Sequence, residues 1–414
     1  MDSPFFSIII PTRNRYETLP YAIRTVTEQD FNSFELIIAD NSDPENFGGI
    51  SAIEEYLKDG RVKYFRPDSI LSMSDNWEFA VSKASGEFVI IFGDDDGLVA
   101  GSLAAIHRII KQTGTLLVSW SRVEYSWPDR LPKQYANIAV IPYNARTGVI
   151  DSKRYINEII HHKADYRTLP MFYNSAVNKS LIAALKNKTG RVFSASSPDI
   201  YTGYAFAHLM KEYITVGYPL SINGVSSKSN GAAHQNADES VKADYWNLLK
   251  KSEIKWPKLL PEVHDSYLAI VEPFTQLANF FPELKTYISR KEIYKIVVDR
   301  LEGLDEDDIR KKTEKILDSA KEDLHLHRWL TGYVRKAKPK IVRENITGYE
   351  DSIGFSGSHL VVDASKMGVE NVFDLSVFLR DLYGRVKEQD YLKPVRASLL
   401  SRIKKAAGIV LRPA

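Results

Sequence analysis

Three short runs near the N-terminus are apolar at nearly every position and then turn abruptly polar: Phe5 to Pro11, Glu35 to Ala39 and Phe88 to Phe92. Runs that do not alternate predict strands covered on both faces, as in a parallel sheet. Between them, Glu17 to Glu28 carries Leu19, Ile23 and Val26 at helical spacing. A helix around Ser51 to Lys58, a strand at Val62 to Phe65 and a helix from Ser74 to Ala84, with Ser74 or Asp75 as N-cap, continue the alternation. Strand and helix in turn imply right-handed βαβ units and an α/β, Rossmann-like, mostly parallel sheet flanked by helices. Ala100 to Thr113 predicts a helix and Thr115 to Ser119 a strand, whereas residues 120–150 show no clean period.

Further along, Leu181 to Leu185 and Ile200 to Leu209 read as helical, and Gly217 to His234 as a strand followed by a loop of small residues. Beyond residue 240 the pattern is helical: Tyr245 to Leu260, Tyr267 to Phe281, Lys291 to Leu301 and Ile309 to Leu330. At 414 residues the chain exceeds one ordinary core. We therefore expect an α/β domain over 1–239 and a mainly helical region over 240–414, with a small extra α/β piece at Gly354 to Asp363. Asp305 to Asp308 repeats an acidic cluster, but acids opening a helix are explained by its dipole.

Composition narrows the classes. With 55 basic and 53 acidic side chains the net charge is +2, so no global electrostatic case for nucleic acid exists. The absence of cysteine excludes disulfides, thiolate metal sites and cysteine nucleophiles. Met1 to Pro4 does not read as a signal peptide, and no run of about 18 apolar residues predicts a span. A cytoplasmic location is the expectation. From Lys393 to Ala414 there are six basic residues and no acid, interleaved with apolar ones. Peripheral contact with anionic lipid through 393–414 is expected, with a solvated basic tail as the plain alternative.

The chemistry gathers at strand ends. In open α/β sheets ligands lie outside the carboxyl ends of the strands. Three of those ends are polar here: Pro11-Thr12-Arg13-Asn14-Arg15, Asp40-Asn41-Ser42-Asp43 and Gly93-Asp94-Asp95-Asp96. Adjacent carboxylates repel, and a hard divalent cation bridging to phosphate oxygens offsets the repulsion. A solvated acidic turn is the plain alternative. Neither a Gly-x-Gly-x-x-Gly loop nor a P-loop is present in this half.

Those three stretches, Ser7 to Arg15, Glu35 to Ser42 and Gly86 to Asp96, resemble in order and spacing the opening motifs of family 2 glycosyltransferases with the GT-A fold, a resemblance covering residues 5 to about 235. It implies inverting transfer of a sugar from a nucleotide diphosphate sugar donor, with Mn²⁺ or Mg²⁺ bridging the diphosphate. Asp94 and Asp96 match the ends of the family's Asp-x-Asp motif, with Asp96 as the first metal ligand and Asp94 as support. Asp40 matches the acid that hydrogen-bonds base or ribose, and Thr12 and Arg15 fall in the loop that lines the nucleotide pocket. Pro11, Asn76 and Asp95 complete the expected donor-binding set, Asp95 pointing away and mattering least. His234 is an expected third metal ligand or phosphate contact, against a merely solvated loop histidine. The chain departs from the family at Asn41 and Gly97, where further acids often stand.

Inversion needs one general base to take the proton of the acceptor hydroxyl. Asp199, at the start of a helix, is the expected base by resemblance; a simple helix cap is the alternative. Phe172, Tyr173 and Asn174 offer aromatic faces and an amide to a glycan or lipid-linked acceptor, or else pack in the core. The leading expectation is a metal-dependent inverting glycosyltransferase. Its rivals are a catalytically silent carbohydrate-binding or scaffolding module and a nucleotidyltransferase.

Overall fold

The computed structural model describes residues 3–143, 147–229, 247–263, 265–301, 306–337, 353–356 and 359–383. His234 and the basic stretch 393–414 lie outside the described residues. The nucleus is parallel: β1 (Phe6–Thr12), β2 (Phe34–Asp40), β3 (Val62–Phe65) and β4 (Phe88–Ile91) lie in the order β3-β2-β1-β4. α1 (Leu19–Thr27) and α2 (Met73–Val81) are two of the crossovers. The continuous apolar runs have a direct cause. Ile8, Ile10, Leu36, Ile38 and Ile90 pack on the face of α1 and α3 (Ser102–Thr113), while Ile9, Ile37, Val89 and Ile91 pack on the face of α2. Successive side chains of a strand point to opposite faces, so burial on both leaves no place for polar alternation.

The α/β expectation therefore holds, with local differences. Residues 44–58 form 3₁₀ turns, Pro44–Ala52 and Tyr56–Lys58, instead of an α-helix; Gly48 and Gly49 in this stretch weaken helical propensity. The N-cap of α2 is Ser72, whose hydroxyl accepts from the Asp75 amide at 3.2 Å. The stretch without a period holds a long strand, because β6 (Leu117–Ser126) runs ten residues. After the two-residue β5 (Gly97–Leu98), β6 pairs with β7 (Ile138–Pro142), β9 (Ser175–Asn178) and β10 (Glu212–Val225), and β8 (Gly148–Asp151) pairs with β10. β9 is antiparallel to both β4 and β6 and bridges the parallel nucleus to the rest, while β10 runs parallel to β6.

Helices α4 (Ser152–Ile160), α5 (Lys179–Thr189) and α6 (Pro198–Met210) complete the N-terminal part. α7 (Ser266–Ala278) begins the described helical region, followed by α8 (Arg290–Asp299), α9 (Glu306–Ser319) and α10 (Leu324–Ala337). Tyr267, Leu268 and Val271 at the start of α7 belong to the core of that bundle, whereas Phe274, Leu277 and Ala278 at its end enter the core around α6. One helix thus ties the two halves together. Gly354 to Asp363 is not a separate piece. β11 (Gly354–Ser356) and β12 (His359–Asp363) extend the main sheet antiparallel from β7, and α11 (Val372–Tyr383) buries Val372, Leu375 and Leu379 against Val123 and Tyr125.

No helix among the described residues is long and apolar enough to cross a membrane.

Candidate functional site

The three polar strand ends do converge. They open on a cavity of about 610 Å³, whose floor is built from Pro11 to Arg15, Asn41, Gly93 and Asp94. Its apolar wall comes from Leu71, Met73, Trp77 and Tyr173, and Ser196, Lys228, Leu248 and Leu249 close the far side.

The acidic run divides into three different environments. Asp94 is buried and faces the cavity; Thr12 Oγ1 donates to it at 2.6 Å and the Arg15 guanidinium at 3.1 Å. Burial, opposed by Arg15 and reinforced by Asp95, pushes the Asp94 carboxyl up to about 6. Burial alone would lower Arg15, but Asp94 and Asp95 outweigh it and hold the guanidinium charged. Asp96 turns back onto the chain: its two oxygens accept from the amides of Gly93 and Gly224, each at 2.7 Å. Burial first, then the neighbouring Asp95, raises its carboxyl well above the usual range.

Asp95 departs from the idle role expected of it. Its Oδ2 accepts from the Ser226 hydroxyl at 2.7 Å, the Ser226 amide at 3.2 Å and the Ser229 hydroxyl, and Arg15 lies 4.0 Å from its Oδ1. Arg15 also donates to the Lys228 carbonyl. Asp95 and Arg15 together therefore clip residues 226–229, after β10, to the acidic turn.

Close approach of backbones makes this possible. A Cβ on Gly224 would lie 1.7 Å from the Asp95 carbonyl and 2.7 Å from Trp127 Nε1, which itself donates to that carbonyl at 2.9 Å. Gly224→Ala must push β10 off the acidic turn and break the amide bond to Asp96. We expect a loss of about 3 kcal/mol or more, read as the shift of the denaturation midpoint.

Asp40 needs correcting. It is fully buried and does not line the cavity: Tyr16 and Tyr64 hydroxyls bond its Oδ2, the latter at 2.6 Å, and the Ser42 amide bonds Oδ1 at 2.8 Å. Those donors are supplied by the protein itself, so Asp40 shapes the end of β2 from behind. Asn41 faces the cavity in its place, with its amide paired to both the amide and the carbonyl of Leu71 at 2.9 Å.

Asn76, on α2, lines the cavity. Its Nδ2 donates to the Ala39 carbonyl at 3.2 Å, which fixes the amide orientation because a carbonyl only accepts. Its Oδ1 is left buried, without a hydrogen-bond partner, at the cavity wall. A buried acceptor without a donor costs about 1–3 kcal/mol, so a ligand N–H or O–H is the natural complement.

Asp199 sits in the first turn of α6, two residues after the N-cap Ser197, so it is not itself the cap. Burial raises its carboxyl, while the Ile200 amide and the charge of Arg122 oppose the rise. The Tyr173 phenol lines the cavity, and it is raised well above its ordinary range by burial, then by Asp199, Asp96 and Asp95. Of the three expected acceptor contacts, Tyr173 alone lines the cavity. Phe172 is core, and Asn174 donates inward to Ser119, Trp120 and Leu169, at 3.2, 3.3 and 3.2 Å. Arg122 on β6 went unnoticed in the sequence, as did Ser196 and Lys228. No local motif marks them, since they reach the site from the aperiodic stretch and from residues after the central motifs.

Among the described residues no three His, Asp or Glu side chains converge as a ready metal cage. Asp94 and Asp96 offer carboxylate oxygens of the kind hard cations take, and burial is the first cause that raises the proton affinity of both; Asp94 is already met by Arg15 and Asp96 by two backbone amides.

Residues 7–178 match the family model described as glycosyl transferase family 2. The GalNAc(5)-diNAcBac-PP-undecaprenol beta-1,3-glucosyltransferase of Campylobacter jejuni is 34% identical over 105 residues, covering 25% of this chain and 33% of that protein. Abequosyltransferase RfbV of Salmonella typhimurium is 31% identical over 140 residues, covering 29% and 40%. The chain thus spans about a third to two fifths of the length of these curated relatives. The crystal structure of S. aureus TarS 1-349 in complex with UDP-GlcNAc is similar at 14% identity over 80% of this chain and 91% of that one, with a TM-score of 0.44, too low to carry an inference. The family match ends before Asp199, which lies at the start of α6, three residues after the cavity-lining Ser196, and is not itself among the residues lining the cavity. The residues that match glycosyl transferase family 2 form the parallel nucleus and carry all three of its polar strand ends.

Proposed function

We propose that the protein transfers a sugar from a nucleotide diphosphate sugar to a hydroxyl of a glycan or lipid-linked acceptor, with inversion at the anomeric carbon. The observation that carries this reading is the cavity itself: it combines the cations Arg13, Arg15 and Lys228, an apolar wall at Leu71, Met73 and Trp77, and the unpartnered Asn76 Oδ1. The cations suit a diphosphate, the wall suits a base, and Asn76 accepts from a base or ribose donor. Asp94 and Asp96 would hold Mn²⁺ or Mg²⁺, which when bound neutralises the diphosphate. Asp199 takes the acceptor proton as the hydroxyl oxygen attacks the anomeric carbon opposite the leaving nucleoside diphosphate. Tyr173, on the cavity wall, offers its ring face to a bound sugar. The name of the Campylobacter relative, with its undecaprenol-pyrophosphate-linked substrate, supports a lipid-linked acceptor.

Calorimetry with UDP-, GDP- and dTDP-sugars, with and without Mn²⁺, tests the reading. One nucleotide series should bind, and Mn²⁺ should tighten it about tenfold or more. Asp96→Ala should abolish the Mn²⁺ effect. No binding of any donor would favour a silent module, and release of pyrophosphate from a nucleoside triphosphate would favour a nucleotidyltransferase.

A further inference from the structure

A buried acid from the helical half reaches under the site. Glu272, on α7, is wholly buried, and its carboxylate is met by neutral donors: the Ser196 hydroxyl at 2.7 Å, the Ser196 amide at 3.1 Å and the Gln276 amide at 3.0 Å. Burying a carboxylate among neutral groups is expensive. Burial pushes its proton affinity up to about 6, so at neutral pH the charged form is held against that cost. Core packing alone would be served better by an apolar side chain.

What Glu272 grips explains the expense. Residues 191–196, between α5 and α6, are strung between two helices. On the α2 side Arg191 pairs with Asp75 at 2.6 Å, Glu78 accepts from the amides of Val192 and Phe193 at 2.8 and 3.1 Å, and Ser74 donates to the Ala195 carbonyl at 2.6 Å. On the other side Glu272 holds Ser196, which lines the cavity, three residues before Asp199. α2 also carries Asn76 and Trp77 of the donor wall. The α2 anchors therefore belong to the donor side, and the Glu272 anchor sits next to the residue assigned to the acceptor proton.

We propose that Glu272 is a positioning residue: from the C-terminal helical half it sets the place of the Ser196-to-Asp199 turn, and so makes that half part of the reaction centre. The proposal rests on the glycosyl-transfer reading for its kinetic consequence, though not for its structural one. What Glu272 supplies to Ser196 is reach and one oxygen, Oε2, that accepts from both its amide and its hydroxyl, which a neutral carbonyl oxygen can also do. Glutamine can present its carbonyl oxygen to Ser196 at the same length, giving up only the bond from Gln276, whereas aspartate is one methylene short.

The test uses full-length Glu272→Gln and Glu272→Asp, with hydrolysis and transfer of UDP-, GDP- and dTDP-sugars in Mn²⁺ and hydrogen exchange of amides 194–199. E272D should lower kcat about tenfold, keep the donor KM within about twofold, and speed exchange at 194–199 about tenfold. E272Q should stay within about threefold of wild type in all three. Unchanged kcat or exchange in E272D, a change confined to KM, or equal loss in both variants would overturn the proposal. If the wild type turns over no donor, the glycosyl-transfer reading fails and exchange alone decides the role of Glu272.

Discussion

Asp199→Asn is expected to remove most transfer activity while leaving donor binding in place. The side chain keeps its shape, but an amide cannot accept a proton at neutral pH, and removing a positioned general base costs about 10²–10⁴-fold in kcat. The pH profile carries the sharper signature. Burial raises the Asp199 carboxyl above the usual aspartate range, and Arg122 moderates the rise. The base form is the ionised one, so activity rises with pH through that raised value and falls below it. The acid limb of kcat/KM should therefore sit above about 4, the ordinary aspartate value, and should vanish in the residual activity of D199N. An unchanged kcat, or an acid limb that survives the substitution, would move the base elsewhere. Calorimetric donor affinity within about twofold of wild type separates loss of chemistry from loss of fold.

Arg15→Met is expected to be the most destabilising substitution in the site. Arg15 bonds Asp94 at 3.1 Å, approaches Asp95 at 4.0 Å and holds the Lys228 carbonyl. Methionine fills much of the volume but leaves two buried carboxylates facing each other without their cation. Breaking a buried pair by removing one partner costs about 3–5 kcal/mol. The sign with pH follows from Asp94: losing Arg15 raises its carboxyl further above about 6. Folding then favours the protonated form, and the variant should regain stability as pH falls from 8 towards 5. Urea midpoints across that range check both statements, and a pH-independent deficit under about 1 kcal/mol would show the pair to be solvated. Mn²⁺ with a nucleoside diphosphate should rescue part of the deficit, since another cation then faces Asp94.

The parallel nucleus and its polar strand ends are legible from local pattern, because two-sided burial forces unbroken apolar runs and the residues that end them must be polar. Pro11 to Arg15 and Gly93 to Asp96 are found that way, whereas Asn76, on a helix, is expected only from the resemblance, and its orphaned Oδ1 shows only once the Ala39 carbonyl has fixed its partner.

Direction of side chains is a different matter. Asp40 and Asn41 are adjacent in the chain, and only the strand's pleat and the hydroxyls of Tyr16 and Tyr64 decide that Asp40 turns into the interior and Asn41 into the cavity. Asp95 shows the same limit, its partners lying 131 and 134 residues away at Ser226 and Ser229. The helical half shows it most plainly. Nothing in the periodicity of 266–278 distinguishes Glu272 from a solvated acid on an amphipathic helix. The sequence by itself determines where strands end and which of their ends are charged, since burial acts on each residue through its near neighbours. Which carboxylate faces a ligand, a strand or a distant loop is decided by tertiary packing, since only the folded chain brings those donors within 3 Å.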